Sequence, residues 1–151
     1  MDQMNISRIE GFTLLELIVT LILVGILAVS AVSRFGEESA FAVKIEQENL
    51  ISILNQAQQL AMSGQPVEFS VIAGAPQRIA IRLGAPLTNY SVGSVKYPQP
   101  VHRDVVISPS PVVITYSNLG RPNAPVSFTV SAATGGSAGV CLENSGYAHA
   151  C

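Results

Sequence analysis

Several residue types are scarce in this 151-residue chain, and each scarcity closes off a class of function. There is no tryptophan, and there are only two histidines. That leaves little material for an aromatic cage or a histidine metal cluster. Two cysteines are too few for a disulfide-dense mini-protein and lack the clustered Cys/His spacing of a zinc site. Charged residues make up 12% and the net charge is −2, which argues against a nucleic-acid binder driven by bulk charge. A chain that is 48% hydrophobic is not disordered. Its length suits one domain. A mean hydropathy of +0.42 is high for a soluble protein and points to a segment in contact with membrane.

Proline is absent before Pro66, and nine of the twelve glycines lie at Gly64 or later. Both residues break helices, so residues 1–63 read as helix and the rest as strands and turns. From Phe12 to Ser33 nearly every residue is apolar, and Glu16 is the single charge. A run of about 20 such residues is long enough to cross a hydrocarbon core of about 30 Å. It lacks a polar face, as a lipid-embedded helix should. After Arg34 the pattern turns amphipathic. Leu50, Ile53, Leu54, Ala57, Leu60 and Ala61 follow the spacing of one helical face, and Gln47, Asn49, Asn55, Gln56, Gln58 and Gln59 occupy other positions. The simplest expectation is one helix ending near Ser63–Gly64, a rod of roughly 75 Å.

Short strand signals fill the second half. Val67, Phe69 and Val71 alternate with polar residues, as do Ile79 and Ile81, and Val126, Phe128 and Val130. Residues 105–107 and 112–116 are β-branched runs. Asn144-Ser145-Gly146 reads as a hairpin turn between 140–142 and 147–149. The expectation is an antiparallel sheet with the amphipathic helix covering one face. The fold class read here is α+β: a long N-terminal helix packed on a C-terminal antiparallel β-sheet.

The segment Gly11-Phe12-Thr13-Leu14-Leu15-Glu16-Leu17 closely resembles the type IV prepilin signature shared by pilins and the pseudopilins of type II secretion. The resemblance implies cleavage after Gly11 by a prepilin peptidase and N-methylation of the new amino terminus at Phe12. It implies a leader at 1–11, a transmembrane half-helix at 12–33, an amphipathic half at 34–63 and a periplasmic pilin domain at 64–151. Physics gives Glu16 a task. A carboxylate in a membrane helix costs roughly 2.5–3.5 kcal/mol on insertion scales and needs a partner. The α-amine of Phe12 on a neighbouring subunit is a suitable cation, and the resemblance implies the same pairing during assembly. Many members of that family carry a proline where this chain has Ser33.

The ending, Val140-Cys141 through Gly146-Tyr147 to His149-Ala150-Cys151, resembles the C-type minor pilins of the mannose-sensitive haemagglutinin (MSHA) pilus. Asn118-Leu119-Gly120-Arg121-Pro122 resembles a loop of the GspH-like pseudopilins. Cys141 and Cys151 flank the hairpin, and the oxidising compartment implied for an exported domain favours a bond between them.

Catalysis has little support. His102 with Asp104, and His149 with Cys151, lack a third group. In residues 64–151 five basic residues face three acidic ones, an excess of 5 − 3 = +2. That is thin for phosphate binding, and no aromatic ladder interleaves it. The expectation is a minor pilin of an MSHA-like type IV pilus, in initiation or at the tip, with no cofactor, metal or catalytic residue. Its partners would be other pilins, the peptidase and the inner-membrane assembly platform. It would sit single-pass in the inner membrane before assembly. A GspH-type pseudopilin is the alternative, and a membrane-anchored periplasmic enzyme the reading from another class.

Overall fold

A computed structural model describes residues 13–32, 35–133 and 135–151. The chain divides into two compact units, residues 1–35 and 36–151. The leader, Gly11, Phe12, Ser33 and Arg34 lie outside the described residues, and so does the junction of the expected continuous rod.

Helix α1 spans Leu14–Val32. Thr13 precedes it, and its Oγ1 accepts a hydrogen bond from the Glu16 amide at 3.3 Å. A threonine oxygen there satisfies one of the amides that a helix start leaves without a partner. Leu14, Leu15, Leu21 and Leu27 are each more than 60% exposed. Among the described residues no helix is long and apolar enough to cross a membrane. The apolar run of the sequence extends beyond both described ends of α1. The expected span is therefore longer than the helix described.

Helix α2 spans Phe35–Met62, and the second unit holds it from Gly36 onward together with, among the described residues, eleven strands. Its buried stripe is Val43, Leu50, Ile53, Leu54, Ala57 and Ala61, at the three- and four-residue spacing of a single face. The helix stops at Gly64, which takes φ +89° just ahead of Pro66.

The single sheet of the sequence reading is resolved into two sheets and a ribbon. The first is five-stranded: β1 (Val67–Ile72), β2 (Arg78–Leu83), β3 (Thr88–Asn89), β6 (Gln99–Pro100) and β8 (Val112–Tyr116), ordered β3-β2-β1-β8 with β6 also on β2. The second is four-stranded, ordered β11-β10-β9-β7: Ala148–Ala150, Ser137–Leu142, Val126–Ala132 and Val105–Ser108. Strands β4 (Ser91–Val92) and β5 (Val95–Lys96) form the ribbon. All named pairs are antiparallel.

Register puts the apolar residues on one face of each sheet. Phe69 stands opposite Ile81 and Ile114, and Phe128 opposite Val140. Phe69 and Phe128 meet edge to face at 6.2 Å, joining the sheets. They share one buried cluster with Leu50 and Leu54 of α2. The two-residue strands within 84–100 carry no alternating run long enough to be read from sequence. Gln77 also links the sheets. Its side-chain amide donates to the Ile107 carbonyl at 3.1 Å and accepts from the Ile107 amide at 2.7 Å. This occupies the outer edge of β7 as a neighbouring strand would.

Candidate functional site

Two regions carry the chemistry that the sequence points to, and each belongs to a different unit. In the first unit, Glu16 sits in the opening turn of α1. A carboxylate there faces the positive end of the helix dipole. Thr13-Leu14-Leu15-Glu16 also has the spacing of a capping box, and the threonine half of that exchange is in place. Gly11 and Phe12, the expected cleavage and methylation positions, lie outside the described residues.

The second region is the C-terminal hairpin of β10 and β11. The chain reverses at 143–146, where the Gly146 amide donates to the Glu143 carbonyl at 2.8 Å and the Glu143 amide to the Tyr147 carbonyl at 3.0 Å. Gly146 has φ +89°, which a side chain would strain. A disulfide joins Cys141 to Cys151, with the Cα atoms 5.8 Å apart. The two residues are not directly opposed, because Cys141 pairs with His149. Instead the Cys151 amide donates to the Gly139 carbonyl at 3.2 Å, so the bridge runs diagonally to a neighbouring position on the same face. Glycine at 139 makes this possible. A Cβ there would lie 2.5 Å from the Cys151 carbonyl oxygen and 3.2 Å from its Sγ.

Helix α2 grips the hairpin with neutral amides. Gln47 Nε2 donates to the Gly139 carbonyl at 2.6 Å, and Gln58 Nε2 to the Ser145 carbonyl at 3.0 Å. Asn55 Oδ1 accepts from the Ala148 amide at 3.3 Å. On the other flank of the buried stripe, Glu46 Oε1 accepts from the His102 amide at 2.9 Å and Gln56 Oε1 from the Tyr97 hydroxyl at 3.0 Å. The sequence reading gave the glutamines and asparagines of α2 no contacts. In fact they form two polar rails beside the apolar stripe, and Glu46 and Gln47 are buried.

The two C-terminal segments that resembled pilin families, 118–122 and 140–151, converge at the C-terminal end of α2. Gly120 packs on Gln58 and Met62, and Gly146 packs on the Gly120 carbonyl and Gln58. Nearby on the hairpin, Tyr147 stacks on His149 with ring centroids 5.5 Å apart, and His149 Nε2 lies 3.3 Å from Glu143 Oε1. The Ala150 carbonyl first, and then the Glu143 carboxylate, hold the imidazole above its ordinary pKa. His149 has no thiol partner, since Cys151 is in the disulfide. His102 and Asp104 are exposed, 3.9 Å apart. Among the described residues no group of three metal-ligating side chains comes together.

Residues 6–32 match the prokaryotic N-terminal methylation motif. That match supports a type IV pilin-like or pseudopilin precursor, membrane-anchored, processed by prepilin peptidase and assembled with other pilins. It points to a structural subunit rather than an enzyme. The matched stretch contains Gly11, Phe12 and Glu16, and it ends with α1. No curated protein matches the chain, and no solved structure does.

Proposed function

We propose that this chain is a minor pilin of an MSHA-like type IV pilus. In this reading prepilin peptidase cuts after Gly11, Phe12 becomes the methylated amino terminus, and the Phe12–Ser33 helix anchors the subunit before it enters the filament. Glu16 sets axial register by pairing with the amine of a neighbour. The match of residues 6–32 to the methylation motif carries the proposal. The broad exposure of the α1 leucines supports it, since an apolar surface of that extent needs lipid or other helices around it. The Cys141–Cys151 disulfide supports export to an oxidising compartment.

Glu16 lies four residues beyond Phe12, about 6 Å along a helix. An offset of about that size between parallel neighbours brings one amine level with the next carboxylate. Substituting Glu16→Ala removes the partner but makes the helix more apolar. Membrane insertion and leader cleavage therefore survive, while incorporation falls. The measurement is subunit recovery in sheared filaments against mature protein left in the membrane. Wild-type recovery of Glu16→Ala in filaments would show that Glu16 is not an assembly register.

A GspH-type pseudopilin is the second reading, favoured by the Asn118–Pro122 resemblance. It differs in the machine served rather than in the physics. Complementation of a pilus deletion and of a secretion deletion, side by side, separates the two.

A further inference from the structure

The two sulfurs of the hairpin disulfide stand in different surroundings. In the four-stranded sheet β11 is at the edge, and β10 lies inside it, between β11 and β9. Cys151 follows β11 and is exposed, whereas Cys141 belongs to β10 and is half-buried. Cys141 has a paired neighbour on each side, Ser127 of β9 and His149 of β11. Cys151 instead meets Gly139, where a Cβ would come within 3.2 Å of its Sγ. With glycine at 139, no side chain covers the Cys151 sulfur from that position.

The sulfurs also differ in their polar contacts. Ser127 Oγ lies 3.6 Å from Cys141 Sγ. A disulfide sulfur carries no hydrogen, so the hydroxyl is the donor. Such a contact is weak to a neutral sulfur and strengthens when the acceptor carries a negative charge. Among the described residues Cys151 Sγ has no hydrogen-bond donor. His149 supplies none to either sulfur. Its Nδ1 lies 2.9 Å from the Ala150 carbonyl oxygen and its Nε2 3.3 Å from Glu143 Oε1. Thiol–disulfide exchange depends on which sulfur can be reached and on which leaves more readily as a thiolate. Here access favours attack at Cys151, and the Ser127 hydroxyl favours departure of Cys141.

We propose that the Cys141–Cys151 bridge is a directional exchange site for a small thiol, in which the incoming sulfur bonds to Cys151 and Cys141 departs as the thiolate. The thiol loses its proton to solvent and attacks Cys151 Sγ. The bond to Cys141 breaks as the new sulfur–sulfur bond forms, and the negative charge passes to Cys141 Sγ beside the Ser127 hydroxyl. One disulfide is consumed and one is made, so no net oxidant or reductant is required. The thiol's body is then carried on exposed residue 151. The exchange takes place within the sheet unit, whichever machine the subunit serves.

The test uses the full chain in lipid nanodiscs, with 2-mercaptoethanol as the thiol and N-ethylmaleimide to trap the released thiolate. Samples are quenched in acid at short times, and fragmentation in the mass spectrometer locates each group. The first product should carry mercaptoethanol on Cys151 and maleimide on Cys141. Ser127→Ala, at an exposed position, should slow its formation by about 2- to 12-fold, the worth of one hydrogen bond. Ser127→Thr keeps the hydroxyl and should restore the rate. Three results each overturn the proposal: a first adduct on Cys141, an even division between the two cysteines, or equal rates in wild type and Ser127→Ala.

Discussion

Gly139 offers the sharpest test of how the hairpin is closed. Replacing it with alanine puts a methyl 2.5 Å from the Cys151 carbonyl oxygen and 3.2 Å from its Sγ. The nearer atom is backbone, but it belongs to residue 151, which is held in place through its bond to Cys141. With the bridge intact the methyl cannot be avoided by rotating one side chain. Overpacking of this kind costs about 1–3 kcal/mol. With the bridge cut, residue 151 is free to swing aside, and the penalty should fall below about 1 kcal/mol. The bridge itself closes a sequence separation of 10, worth about 2.7 kcal/mol in the chain-entropy account.

The two effects are therefore coupled, and a double-mutant cycle measures the coupling. Four proteins are needed: wild type, Gly139→Ala, Cys141→Ser with Cys151→Ser, and the combination. Denaturant unfolding followed by the far-ultraviolet strand signal gives each stability, since there is no tryptophan to follow. Thiol titration of Gly139→Ala shows whether the bond still forms. The combined variant should be less destabilised than the sum of its parts by about 1–2 kcal/mol. Additive losses, or a Gly139→Ala protein as stable as wild type with its disulfide formed, would refute the claim that glycine is there to admit Cys151.

Three further outcomes are expected. Gly11→Leu should leave an uncut precursor in the envelope, seen by mass spectrometry. A wild-type protein that keeps its leader would defeat the processing reading. Gly146→Ala should cost about 2–4 kcal/mol, because the methyl meets the Gly120 carbonyl and the left-handed backbone adds its own strain; a chemical melt within 0.5 kcal/mol of wild type, roughly a surface effect, would contradict it. His149 should titrate above its ordinary value of 6.5. A raised folded pKa means that its stabilising contribution is complete below the unfolded pKa and disappears as pH rises through the folded one. Glu143→Gln should lower the NMR midpoint without erasing the upward shift, because the Ala150 carbonyl contact persists. An unchanged midpoint would remove Glu143 from the account.

The strands were legible where apolar residues alternated with polar ones, as at 67–71 and 126–130, or formed a β-branched run, as at 112–116. Residues 67–71, 112–116 and 126–130 lie in β1, β8 and β9. The two-residue strands were not legible, since pairing that short leaves no pattern. The hairpin was legible from Asn144-Ser145-Gly146, but not the diagonal of its disulfide, which depends on register. The polar rails of α2 escaped because amphipathic reading counts apolar positions and leaves the rest to solvent. One signal was available. Residues 47–59 carry glutamine and asparagine where an exposed helix face would ordinarily carry lysine and glutamate. Neutral amides can bond buried backbone without the cost of burying charge. The motif at the N-terminus was legible because a carboxylate inside an apolar run is expensive enough to stand out.

The closed edges of the sheets bear on how such a subunit associates. An uncovered strand edge invites pairing with another chain. Here the edge of β7 is occupied by the Gln77 amide, and that of β8 by Asn123, whose amide donates to the Thr115 carbonyl at 2.9 Å and whose Oδ1 accepts from the Thr115 amide at 3.3 Å. Asn55 takes the Ala148 amide on β11. The remaining edge is divided between β3 and β6, two residues each. Strand addition would have to displace one of these caps or rest on a two-residue edge. The described surface of α1 is the opposite case. Its backbone bonds are internal, while its leucines on all sides are largely exposed. Association through that helix breaks no hydrogen bond and removes apolar surface from water or lipid. Packing through α1 is therefore the less costly route of association for this chain.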